Sequence, residues 1–156
     1  MSVDCFLKID GIPGESTDAK HKDELWFSAG LGVRLERWRR PQPEARVECR
    51  CRISISPRQW DTASPKLLLA CASGKHIKDA VLSCRKAGGT QDFLIITLTQ
   101  VVISGYQISD GATVGPTDQF ALHFAEIQFE YVQQKPDGSM AASTEAGWDL
   151  QNNRAA

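Results

Sequence analysis

Three histidines, five cysteines and a few serine, lysine and acid placements are the residues of this 156-residue chain that could do chemistry. His21, His76 and His123 are widely separated, and none stands at metal-ligand spacing from another histidine or from a cysteine pair. Cys5, Cys49, Cys51, Cys71 and Cys84 include no C-x-x-C, so spacing suggests neither zinc nor a redox dithiol, and they read as free thiols in a reducing compartment. Cys49 and Cys51 are two apart, which on a strand aligns them with Val47, Ile53 and Ile55, where cysteine acts as a small hydrophobe. Ser83-Cys84-Arg85-Lys86 meets the Ser-x-x-Lys pattern of some acyl-transfer enzymes. Residues three apart on a strand face opposite sides, so that lysine would not reach that serine. Cys84 and His76, imagined as nucleophile and base, lack an oxyanion donor and read as a core thiol and a surface imidazole. Gly88-Gly89 lacks the phosphate-binding fingerprint and reads as a turn, and Asp23-Glu24 reads as solvated charge. The expectation is a protein with no catalytic, metal or cofactor site, and not an enzyme.

Charge supplies the one strong feature. The formal net charge is -1, but Arg34, Arg37, Arg39, Arg40, Arg46, Arg50, Arg52 and Arg58 fall in residues 26–60 with no lysine and only Glu36, Glu44 and Glu48 against them. That block holds +5 and leaves -6 for the rest. Arg34, Arg37, Arg39 and Arg40 around Trp38 combine cations with an aromatic platform, the ingredients of single-strand binding. The acidic remainder and the lack of any recognised module argue against nucleic acid, and an interaction surface in a larger assembly explains the block at least as well.

The elements that must position these residues are mostly strands. Val3 to Ile9 reads as the first, followed by a polar loop over residues 10–18. Val47 to Ile55 alternates apolar and polar residues as a half-buried strand does. A short helix is predicted over residues 64–74, with Ser64 as N-cap, Pro65 at the first helical position and Gly74 as the left-handed stop. Leu67, Leu68, Leu69 and Cys71 would supply its docking side. Strands resume at residues 80–86, turn through Ala87-Gly88-Gly89-Thr90, and continue from Phe93 to about Ser104. Over residues 118–133 the apolar set runs Phe120, Leu122, Phe124 and then Ile127, Phe129, Tyr131, so a bulge or bend is expected near Ala125-Glu126. The tail from Pro136 reads as loop with Trp148 as its anchor. Such elements indicate a mainly β fold, a closed or nearly closed antiparallel β-barrel or two packed sheets, with one short flanking α-helix, in a single domain spanning residues 1–156. No run approaches the roughly 18 apolar residues of a membrane helix, and the start of the chain lacks the basic and apolar regions of a cleavable signal.

The chain resembles Hcp, the haemolysin-coregulated tube protein of bacterial type VI secretion systems. The matching stretches are Val3-Asp4-Cys5-Phe6-Leu7-Lys8-Ile9, Gly14-Glu15-Ser16, the run from Ser64 to His76, Arg85-Lys86-Ala87-Gly88-Gly89 and Phe93-Leu94-Ile95-Ile96-Thr97-Leu98. Phe124-Ala125-Glu126-Ile127, Gln134-Lys135-Pro136-Asp137-Gly138 and Gly147-Trp148-Asp149-Leu150 complete a collinear match over residues 1–24 and 61–156. The resemblance implies hexameric rings stacked into a phage tail-tube-like conduit, propelled with a spike by a contracting sheath and carrying effector proteins in its lumen. It also implies a protein folded in the bacterial cytoplasm and then secreted without a cleaved signal. Self-assembly candidates follow from the matched loop and turn: Glu15, Ser16, Asp18, Arg85, Lys86, Gly88 and Gly89.

Residues 25–60 depart from the family pattern. They keep nearly its length but replace a Ser- and Gly-rich stretch with Leu25-Trp26-Phe27, Arg37-Trp38-Arg39-Arg40-Pro41 and arginine-rich alternation. Either this is a segment read in a shifted frame and restored near Asp61, or it is a genuine diverged segment. The competing function is a monomeric β-barrel that holds an acidic ligand with the Arg34–Arg40 cluster.

Overall fold

The computed structural model describes residues 2–28, 31–39, 47–111 and 115–156. Ten elements follow one another: β1 (Val3–Ile9), β2 (Leu25–Phe27), β3 (Leu31–Arg39), β4 (Val47–Gln59), α1 (Ser64–Ser73), β5 (Ile77–Lys86), β6 (Asp92–Gly111), β7 (Gly115–Gln134), β8 (Met140–Asp149) and β9 (Arg154–Ala155). All pairings are antiparallel, in the order β2-β1-β5-β6-β7-β4-β3, with β8 added on β7 and β9 on β8. This is the expected mainly β, antiparallel fold with one short helix, and among the described residues the barrel is not closed. Among the described residues no ladder joins end strand β2 to end strand β3, although β2 and β4 approach each other. The sheet curls around one apolar core built from Leu7, Leu25, Ile53, Leu82, Leu98 and Leu122, all essentially inaccessible. Alternate residues point inward in β1 (Cys5, Leu7, Ile9) and β2 (Leu25, Phe27), as period two demands.

Besides register shifts at Cys84/Arg85, Ile103/Gly105 and Val132/Gln134, two irregularities decide which residues face inward. The first is the expected phase change, and it occurs in two strands at once. Ile96 and Leu98 are buried before it and Val101 and Ile103 after it in β6, opposite Ile127 and then Phe124 and Leu122 in β7. Gln100 takes φ 53° at the turnover. Because both strands flip face together, the β6–β7 register is unchanged across the site, so this is a matched bend and not a one-strand bulge. On its other edge β7 changes partner there: β4 runs beside residues 117–122 and β8 beside residues 126–134. The Ala125 carbonyl at the fork accepts from Leu150 N–H at 2.8 Å. The second irregularity is a bulge in β4 between Ile55 and Arg58, which turns Arg58 into the interior, 3% exposed. Pro57 lies within it, where a missing N–H does least harm to the ladder.

Arg58 is paired inside through its two terminal nitrogens, while its Nε finds no hydrogen-bond partner. Its Nη2 donates to Asp118 Oδ2 at 3.0 Å and its Nη1 lies 2.8 Å from Asp61 Oδ2. Asp118 Oδ2 also accepts from Ser64 Oγ at 2.7 Å and from Tyr106 OH at 2.9 Å. Burial, and then the bond to Asp118, push the Tyr106 hydroxyl up to about 12. This polar knot corrects the helix start: Ser64 is not the N-cap, because its buried hydroxyl joins the knot and Ala63 occupies the cap position without a side-chain bond. Pro65 therefore stands at the second helical position and not the first, where its missing N–H is still one the helix leaves unpaired, and Gly74, at φ 63°, stops the helix as expected. The docking side also differs. Leu67 and Ala70 face the core, whereas Leu68 and Leu69 are exposed at 47% and 66%. Finally, the tail is strand β8 and not loop: it pairs with β7 from Gln134 to Glu126 and carries Trp148 onto the core.

Candidate assembly site

The loop over residues 13–24 is held as a narrow hairpin by its own backbone. Gly14 N–H donates to Asp23 carbonyl at 2.7 Å, Ser16 N–H to Glu24 carbonyl at 3.1 Å, and Asp23 N–H to Ser16 carbonyl at 2.8 Å. A Cβ at Gly14 would lie 2.5 Å from the Glu24 carbonyl oxygen, so only glycine allows this approach. Asp18 then turns the chain, with Oδ1 accepting from Lys20 N–H at 2.9 Å and from His21 N–H at 3.1 Å.

The hairpin lies on the face of β1 and β5 that looks away from the core. Phe6, 3% exposed, is sandwiched there: the His21 ring stacks on one side at 4.5 Å and 11°, and the Arg85 guanidinium lies 4.6 Å from its centroid. Arg85 Nη2 donates to Asp18 Oδ2, and this ion pair is the main reason the Asp18 carboxyl sits below its usual range, helped by the Lys20 and His21 N–H bonds. His21 Nδ1 lies 2.9 Å from Glu24 Oε2, and its Nε2 is 3.2 Å from both Asp92 oxygens. Lys20 Nζ donates to the Thr90 carbonyl at 2.6 Å. Glu24 is thus not a solvated charge: burial pushes it up, opposed by the charge and hydrogen bond of His21.

This geometry gathers four of the expected assembly residues. Glu15, Ser16, Asp18 and Arg85 line one groove of about 750 Å³, rimmed by Trp26 and Trp60, which are 49% and 43% exposed. Glu15 also reaches the approach to α1, its Oε1 accepting from Thr62 N–H at 3.1 Å. Lys86, Gly88 and Gly89 lie in a separate depression, which they share with Gln134, Gly138 and Met140. The two turns quoted for the family resemblance thus meet in space although they are far apart in the chain. Trp26 and Trp60 belong to the arginine-rich segment and were missed by the sequence reading, as were Phe6 and the His21 bridge. The nearest signal was His21 beside the Asp23-Glu24 pair.

Arg34 is exposed and pairs with Glu36 two residues on, in a groove shared with Arg52 and His123. Arg37 and Arg39 lie in β3 at backbone positions paired with Cys49 and Val47. Arg40 lies outside the described residues. Cys84 is buried and His76 exposed, Ser83 is buried and Lys86 exposed, so neither imagined nucleophile has its partner. Among the described residues no helix is long and apolar enough to cross a membrane.

Residues 6–131 match the family model described as type VI secretion system effector, Hcp. The chain is 33% identical over 163 residues to Protein hcp1 of Pseudomonas aeruginosa, with 98% of each covered. Among solved structures, Hcp1 from Salmonella typhimurium superposes with a TM-score of 0.86 at 30% identity, covering 100% of both chains. Hcp2 from the same organism gives 0.69 at 34% identity, covering 97% of this chain and 98% of that one. A type VI secretion system effector from Yersinia pestis gives 0.72 at 29% identity, covering 94% and 99%.

Proposed function

The chain belongs to the Hcp family of type VI secretion proteins, and from that premise we propose that it closes into hexameric rings, stacks them into the inner tube and carries effector proteins in the lumen. Its role as a secreted tube component is structural and not enzymatic. Sheath and spike proteins are the further partners of this reading, which places the folded chain in the cytoplasm until the machine expels it. What a tube demands of its subunit is a rigid contact surface repeated at a fixed rotation. The observation that carries the reading is the pinned hairpin. Asp18 and Arg85 are held by the Phe6 sandwich, their ion pair and the His21 contacts to Glu24 and Asp92, Ser16 by its backbone bonds and Glu15 by Thr62 N–H, beside the exposed Trp26 and Trp60. Aromatic anchors ringed by ordered polar groups are the usual make-up of a protein contact. We assign Lys86, Gly88 and Gly89 to the same assembly role, on the neighbouring turn.

All 156 residues form one tube domain in this reading, residues 25–60 included. In its support, the segment supplies Leu25, Phe27, Cys51, Ile53 and Ile55 to the core and a buried Arg58 matched by two aspartates. A coding sequence whose alternative frame over residues 25–60 restores a Ser- and Gly-rich stretch would instead identify a frame shift.

Sedimentation and negative-stain microscopy of the purified protein test the tube reading. Hexameric rings are expected. A 17 kDa species that binds polyanions in a salt-sensitive way would favour a monomeric binding module using the arginine segment.

A further inference from the structure

Cys5 and Cys84 are 79 residues apart in the chain and stand directly opposite each other across the β1–β5 ladder. Facing Cα atoms in an antiparallel pair are about 4.5–5.5 Å apart, inside the range a disulfide spans. The two sulfurs approach to 2.7 Å, and both side chains point into the core, 5% and 2% exposed. No backbone movement is needed to bring them together.

We propose that Cys5 and Cys84 are a site of reversible intramolecular disulfide formation, closed by a small peroxide after the protein leaves the reducing cytoplasm. The chemistry of the pair stands on the two side chains alone, whereas its encounter with an oxidant rests on the secretion reading, which the sizing experiment tests separately. A hydrogen bond from Cys84 holds the Cys5 thiol below its usual range against burial and the Asp4 charge, and the same bond and burial push Cys84 up. Either sulfur can attack first, because each faces the other and both routes end in the same disulfide. The first sulfur, as thiolate, attacks one peroxide oxygen, the O–O bond breaks and hydroxide leaves, giving a sulfenic acid. The second sulfur then attacks the first, the S–S bond forms, the S–O bond breaks and water departs. Overall two thiols are oxidised and one hydrogen peroxide is reduced to two waters. Access runs past β2, which pairs with β1 over three residues and sets Phe27 opposite Cys5. A short end strand is where local opening is easiest.

The test is to incubate the folded, reduced protein with hydrogen peroxide, quench, denature, alkylate and analyse by mass spectrometry without reduction. The expected result is a chain lighter by two hydrogen atoms, a Cys5–Cys84 linked peptide, alkylated Cys49, Cys51 and Cys71, and full reversal by dithiothreitol. Cys5→Ser and Cys84→Ser should each abolish the linked peptide. Alkylation of both Cys5 and Cys84 after treatment, oxygen added to either sulfur, or a bond from either to another cysteine or another chain would overturn the proposal.

Discussion

Gly14 and Asp18 set the path of the hairpin over residues 13–24, by different means. At Gly14 the constraint is steric, since the Glu24 backbone fills the space a methyl group would need. Gly14→Ala should lower stability by about 1–3 kcal/mol, the usual cost of forcing atoms into packed space, as read by thermal unfolding. At Asp18 the constraint is electrostatic. Its folded pKa lies below the ordinary 3.8, so its stabilising bond to Arg85 is fully present above that value and is lost as pH falls through the lowered one. Glu24 has the opposite sign. Its pKa is raised above 4.5, so its contribution is present below that value and fades as pH rises through the raised one. An acid titration followed by tryptophan fluorescence, with Trp26 on the same groove as reporter, should show a transition below pH 3.8 that Asp18→Asn lacks. At this scale the sequence showed which residues were polar and near a turn. It did not show that Phe6 would be covered by His21 and Arg85, because that cover comes from a loop and a strand remote in the chain.

Among the elements, the helix and the strand ladder are coupled through the Arg58–Asp118 knot. Asp118 on β7 receives Arg58 from β4, Tyr106 from β6 and Ser64 from α1. Arg58 and Asp118 are 1% and 0% exposed at their side chains, so removing Asp118 leaves the buried Arg58 with Asp61 as its remaining carboxylate and takes the acceptor from Ser64 and Tyr106. Asp118→Ala should therefore cost about 3–5 kcal/mol, measured as a shift in the denaturant midpoint, whereas Asp118→Asn should cost less by keeping acceptors for the two hydroxyls. The positions of the strands were legible because period two is local. The phase change at Ala125 was legible for the same reason, but its partner at Gln100 was not read, nor was the bulge that turns Arg58 inward. A bulge moves a face by one residue, and only the opposite strand reveals which residue is the extra one. Ser64 shows the same limit: its place before a proline fits a cap, and a buried aspartate from another element claimed its hydroxyl instead.

For the whole molecule, the informative surface is the apolar part that the chain's own fold leaves uncovered. Leu68 and Leu69 on α1 stay exposed beside the approach that Glu15 contacts, and Trp26 and Trp60 rim the groove. Leu69→Asp should leave the unfolding midpoint of the isolated subunit nearly unchanged, within about 0.5 kcal/mol, as exposed substitutions do. It should also shift the sedimentation profile from rings toward monomers. Strand content, the helix and its stop, and membership of the Hcp family were determined by the sequence itself, because alternation, capping residues and collinear motifs are properties of neighbours along the chain. The tertiary structure alone decided that no ladder joins β2 to β3 among the described residues, that the tail from Met140 is a strand, that Leu68 and Leu69 face outward and that Cys5 meets Cys84. Each of these depends on which distant segment lies opposite, and burial and pairing are relations between segments that no local pattern encodes.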